Sequence, residues 1–163
     1  MKYLAIIFVV LMFSSCTKLE RAHKYRNAID SLREEVGQME RTYHPGLGEI
    51  MSGIQMHHAK LWFAGINNNW KLAEYETSEL RELFASTKLL EIERPELKSL
   101  PMIYPMVDSI AAAIKNQDFE KFKNGFKGLT ATCNICHQMN HFEFNVIIIP
   151  IAPPVVNQDF KPH

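Results

Sequence analysis

The chain has 163 residues, 47 % of them hydrophobic, with 18 basic and 18 acidic side chains and a formal net charge of zero. That balance offers no general electrostatic case for binding nucleic acid. There is no Gly-rich phosphate loop, no G-x-S-x-G, no Walker-type motif and no fixed-period repeat. The informative chemistry must therefore lie in a short local pattern.

The N-terminus has the form of a processing signal. Lys2 supplies a short basic end, and Tyr3 to Phe13 form an uninterrupted apolar run. The run has the length of a signal h-region and falls well short of the ~20 residues of a membrane-spanning helix. Phe13-Ser14-Ser15-Cys16 follows, and small residues directly before a cysteine resemble the bacterial lipobox. The resemblance implies cleavage after residue 15, lipid on Cys16 and attachment to a membrane of the cell envelope. An ordinary signal peptide with an incidental cysteine is the alternative. Lys2 is the one charged residue of the first fifteen, so 17 basic and 18 acidic residues remain beyond it. Residues 16–163 are enough for one domain with a core.

Residues 18–43 are highly charged, with Ala22, Tyr25, Ile29, Leu32, Val36, Met39 and Tyr43 in an alternating three–four spacing. This is the a/d pattern of a coiled coil. It predicts a helical stalk over residues 16–45, able to pair as a homodimer, or else a helix lying along the domain surface. His44-Pro45-Gly46-Leu47-Gly48 breaks that helix. A second helix is expected from about Gly48 to Gly65, with Ile50, Met51, Ile54, His58, Leu61 and Trp62 on its apolar face. Asn67-Asn68-Asn69 marks a turn and N-cap. A third helix, from Trp70 to about Leu90, carries Trp70, Ala73, Leu80, Leu83, Phe84 and Thr87 inward. Glu91 to Pro101 reads as a loop. A fourth helix is expected over Tyr104 to Lys115, with Pro105 tolerable in its first turn.

Asn116-Gln117-Asp118 caps the last helix, where Phe119, Phe122, Phe126, Leu129, Cys133 and Cys136 keep a four–three rhythm. Residues 133–137 read Cys-Asn-Ile-Cys-His. C-x-x-C-H is the attachment pattern of c-type haem: two thiols bind the porphyrin as thioethers and the histidine becomes an iron ligand. On a helix, i, i+3 and i+4 spacing brings Cys133, Cys136 and His137 to one face. The blander readings are a redox CxxC pair or half of a zinc site, but no second CxxC is present to complete the zinc set. Of three cysteines, one falls at the lipobox and two in the motif, leaving none for a structural disulfide. The expected cofactor is one covalently attached haem c. Residues 141–163 alternate Phe142, Phe144 and Val146, then run Ile147-Ile148-Ile149-Pro150 and Pro153-Pro154. The prolines forbid a helix, and the apolar content predicts an extended segment laid over the core.

The fold class expected is all-α: an antiparallel four-helix bundle over residues 46–140, preceded by the stalk helix and followed by an extended Pro-rich tail. A bundle whose C-terminal helix ends in C-x-x-C-H resembles the class II cytochromes c, of the cytochrome c-prime type, over roughly residues 47–140. The resemblance implies thioethers at Cys133 and Cys136 and His137 as proximal ligand. It implies a sixth iron position facing the first bundle helix, where Met51 stands, or an open site. His58 departs from that pattern: it falls near the middle of the same apolar face, as a hydrogen-bonded core residue or an alternative sixth ligand. His57 falls at the edge of that face.

The expected function is electron transfer between exported redox partners by a lipid-anchored monohaem cytochrome, which needs no acid–base catalysis and is not an enzyme. One alternative is a sensor or scavenger of a diatomic gas. Peroxide reduction would require His57 or His58 as distal acid–base group. A fourth reading is a structural lipoprotein without haem. Lys121, Lys123 and Lys127 read as a solvated face, or as a patch that steers an acidic redox partner.

Overall fold

The computed structural model describes the backbone of residues 2–42, 46–89 and 94–163, and within these the side chains from residue 20 onward except 40, 41 and 89. The lipidation expected at Cys16 therefore lies outside the described side chains, and the helix break expected at residues 44–48 lies partly outside. Two compact units divide at residues 44 and 45. The first holds helix α1 (Lys2–Thr42). Its a/d seam is solvent-exposed, with Tyr25, Ile29, Leu32, Val36 and Met39 all about half exposed or more. Among the described residues, no helix is long and apolar enough to cross a membrane.

The second unit contains α2 (Leu47–Ile66), α3 (Trp70–Ser86), α4 (Tyr104–Lys115) and α5 (Phe119–Met139). All described residues are helical or irregular, and the chain is all-α. The two shortest connectors share one design. At Asn67-Asn68-Asn69 the middle residue takes a left-handed φ of 57°, and Asn69 N–H donates to the Ala64 carbonyl at 2.9 Å. Asn69 then turns its own Oδ1 on the Leu72 N–H at 3.2 Å and opens α3. At Asn116-Gln117-Asp118, Gln117 has φ 52° and Asp118 N–H reaches the Ala113 carbonyl at 2.9 Å. Asp118 Oδ1 accepts from Lys121 N–H at 3.0 Å to open α5. Each triplet thus closes one helix and caps the next, satisfying end groups that would otherwise lack partners.

Helix α3 stops short of the expected Leu90. Ser86 Oγ donates to the Leu83 carbonyl and Thr87 Oγ1 to the Phe84 carbonyl, at 2.8 and 2.7 Å. These bonds compete with the helical ladder, and one 3₁₀ turn, Thr87–Leu89, finishes the element. The segment read as a loop holds one more such turn, Pro95–Lys98, and the start of another, Leu100–Ile103, each with proline near its start, where the missing N–H costs nothing.

In this unit α2 packs on α3, α3 on α4, α4 on α5 and α5 on α2. The shared core includes Leu61, Leu80, Val107, Ile110, Phe122 and Phe126, all fully buried. Trp62 lies 4.9 Å from Phe126 between ring centroids, and Trp70 sits edge-on to Phe122. Gly65 lets α2 and α5 approach closely, since a Cβ there would lie 2.0 Å from Phe122 Cζ. Two polar residues share the α3 core face, Glu76 and Thr77. Glu76, 1 % exposed, reaches His57 Nδ1 at 2.6 Å through Oε2, while its Oε1 is buried without a partner.

The last residues contain no helix or strand and are tied to the helices at several points. Ile149 packs on the core, Phe160 is buried beside Phe63, and the Lys161 carbonyl accepts from Asn69 Nδ2 at 3.0 Å. Phe144, Val146, Ile148, Ile151 and Val156 face solvent.

Candidate functional site

A cavity of about 410 Å³ opens among α2, α5, the 3₁₀ turns and the segment after α5, within the usual size range for cofactor sites. The α2 wall follows from helical spacing: Leu47, Met51, Ile54 and His58 recur on one face. Met51 and His58 are separated by two turns, roughly 10 Å along the axis. Opposite, α5 contributes Cys133, Cys136 and His137. Phe84, Leu100 and Ile103 supply further apolar wall, and Arg94, Glu96 and Gln55 its polar part. Phe142, Asn145 and Ile147 form the side contributed by the segment that follows the helix.

Both motif cysteines are free thiols. Burial pushes Cys133 up to about 12, with the neighbouring Cys136 adding to the effect. Burial also raises Cys136, opposed by the Asn140 side chain and reinforced by Glu96. Reactive redox cysteines and zinc thiolates need the opposite displacement. Among the described residues there is no cluster of three or more His, Cys, Asp or Glu placed to hold an ion. A porphyrin brings four of its iron's ligands itself, so the protein need supply at most two.

His137 Nδ1 meets the carbonyl oxygen of Asn145 at 2.5 Å. A carbonyl can only accept, so Nδ1 carries the proton, and in the neutral ring Nε2 then keeps its lone pair. That is the arrangement second-shell partners impose on metal-binding histidines. The cavity, its two thiols and this tautomer together fit a covalently held haem. Asn134, inside the motif, clasps the same segment: its Nδ2 donates to the Ile147 carbonyl and its Oδ1 accepts from Ile147 N–H, both at 2.8 Å.

His58 is 4 % exposed, with Nε2 3.0 Å from Thr130 Oγ1. Thr130 gives its single hydroxyl proton to the Phe126 carbonyl at 2.9 Å. It therefore accepts from His58, whose Nε2 is the protonated nitrogen. Desolvation lowers the His58 pKa from 6.5 to about 4, and the ring packs on Phe126 with centroids 4.4 Å apart. The His58–Thr130 bond ties α2 to α5 one turn before Cys133.

Cys133, Cys136, His137, Met51 and His58 thus all border one cavity, whereas His57 points to Glu76 and does not line it. Trp62 and Trp70 belong to the core. Lys121 pairs with the cap residue Asp118, and Lys123 with Glu120 on its own helix. Thr130, Asn134, Asn145, Arg94 and Glu96 were not among the residues expected at the site. Of these only Thr130 had a signal, lying one helical turn from both Phe126 and Cys133 on the apolar seam. Comparisons with protein-family profiles, with curated proteins and with solved structures found no match.

Proposed function

We propose that the chain is a membrane-anchored monohaem c-type cytochrome that carries single electrons between exported redox partners. The observation that carries this reading is the convergence of Cys133, Cys136 and His137 on one cavity, with His137 Nδ1 engaged and Nε2 free. When bound, a haem c supplies one-electron chemistry at its iron. Cys133 and Cys136 would hold the group as thioethers and His137 would ligate from the proximal side. Met51 is the preferred sixth ligand, because it borders the cavity and the His58 Nε2 is already engaged by Thr130. A methionine ligand raises the reduction potential relative to histidine. The walls formed by Leu47, Ile54, Phe84 and Ile103 act in the same direction, since a dry surround disfavours the more charged ferric state. No acid–base pair is required.

The cyclic packing of α2 to α5 supports an antiparallel four-helix bundle of the class II type. Lipid on Cys16 would hold the protein at an envelope membrane, with α1 as its stalk. The exposed seam of α1 supports pairing of two chains.

Expression with export and haem-attachment machinery tests the reading. Intact mass should exceed that of the polypeptide by one haem, and a colourless, unmodified chain would eliminate the proposal. The near-infrared sulfur-to-iron charge-transfer band should vanish in Met51→Ala and persist in His58→Ala. Loss of the low-spin signature in His58→Ala instead would transfer the sixth position to His58. Rapid formation of a carbon monoxide adduct by reduced wild type would favour gas binding over electron transfer.

A further inference from the structure

We infer that Asn134, the first variable residue of the Cys-Asn-Ile-Cys-His motif, is a positioning residue that sets the tautomer and donor strength of His137 through the chain segment that follows α5.

The chain turns back at the end of α5. His141 adopts φ 63°, and Phe142 N–H returns to the carbonyl of His137 itself at 2.8 Å. This left-handed cap reverses the chain. Asn145 N–H then reaches the Phe142 carbonyl at 2.9 Å and tightens the next turn. These bonds bring residues 142–147 back alongside α5, but they leave open how far along the helix the Asn145 carbonyl comes to rest.

Asn134 decides that. Its amide reads both backbone groups of Ile147, donor against carbonyl and acceptor against N–H. Two bonds to the N–H and C=O of one residue fix translation and rotation together. Ile147 lies two residues beyond Asn145, so this clasp limits where the Asn145 carbonyl can sit against His137 Nδ1. Asn134 and His137 stand at i and i+3 on one helix, which makes the clasp and the imidazole neighbours. Asparagine suits the task because its amide carries a donor and an acceptor together. Aspartate would retain only the half that accepts from Ile147 N–H. The hydrogen bond from Nδ1 makes the imidazole a stronger electron donor at Nε2, so loosening it should weaken donation to a metal.

The part concerning metal donation rests on the haem reading, whereas the tautomer can be measured without it. In the haem-free full-length chain, nitrogen-15 NMR of His137 should report the Nδ1–H tautomer in wild type. Asn134→Ala should return the ring to the mixed tautomers of free histidine, and Asn134→Asp should fall between. Phe160→Ala, which loosens the far end of the same segment, should leave the His137 signals in place. In haem-loaded protein the midpoint potential of Asn134→Ala should move positive, and that of Phe160→Ala should not. An unchanged His137 tautomer in both Asn134 variants overturns the inference, whatever happens to stability. A shifted tautomer with an unchanged potential overturns the metal-donation part. A wild type that shows the Nδ1–H tautomer yet takes up no haem supports the clasp and refutes the haem reading. Should Asn134→Ala fail to fold, Asn134→Asp decides by the same two measurements.

Discussion

Acidification should destabilise the protein through His58, and the size of the effect follows from its surroundings. In the native state this ring is buried against Phe126, donates to Thr130, and titrates at about 4; unfolded, it titrates near 6.5. The unfolded chain therefore takes up the proton first as pH falls. The stabilisation is complete above the unfolded value and is lost progressively toward the native one. The full gap is worth about 3 kcal/mol, most of it already lost by about pH 4.5. Urea unfolding at about pH 7.5 and about pH 4.5 measures the drop. Carboxylates contribute to the same drop, so the reference is His58→Gln, which retains a donor for Thr130 but does not titrate. Wild type should lose roughly 2–3 kcal/mol more than this variant across the interval. Identical pH dependence in the two proteins would refute the assignment of His58 as a buried neutral donor.

Three further outcomes can be measured in the same way. Gly65→Ala should destabilise by about 1–3 kcal/mol, because a Cβ would enter the Phe122 ring, which Trp62, Trp70 and Phe126 hem in. Combined with Phe122→Ala it should cost less than the sum of the single changes, and additive values would show that the helices are not in contact there. Gln117→Gly should stabilise by about 1 kcal/mol, relieving a left-handed residue that carries a Cβ; a lower urea midpoint would contradict that geometry. His57→Ala strips the buried Glu76 carboxylate of its hydrogen-bonding partner and should cost about 3 kcal/mol or more. In the His57→Ala background, Glu76→Leu should recover part of the loss, and failure to do so would place the cost elsewhere.

The parts of the molecule readable from sequence are those set by local chemistry. Helical spacing identified the face carrying Ile50, Ile54, His58 and Leu61, and the triplets Asn67-Asn68-Asn69 and Asn116-Gln117-Asp118 located the connectors to the residue. The end of α3 was misjudged because Ser86 and Thr87 bond back to carbonyls, a choice their neighbours in sequence do not announce. Glu76 was overlooked for a different reason: the spacing from Ala73 to Leu80 requires an inward residue at 76 or 77, yet both are polar, and only the contact with His57 across two helices explains the carboxylate. Cys133, Cys136 and His137 stood out because their chemistry is written in five adjacent residues. Asn134 sits among them unremarked, since its partner Ile147 is thirteen positions away and is met through backbone atoms that carry no side-chain signature.

The three-residue connectors also bear on how the cavity comes into being. Each joins a helical hairpin, α2 with α3 and α4 with α5, whose closing loop carries little entropic penalty. Neither hairpin alone encloses the space between Met51 and Cys133, because those residues belong to different pairs. The pocket exists only after the hairpins dock, and of the seams that dock them, Gly65 on Phe122 and His58 on Thr130, the second ends in its wall at His58. Weakening that seam therefore threatens the binding space as well as the fold.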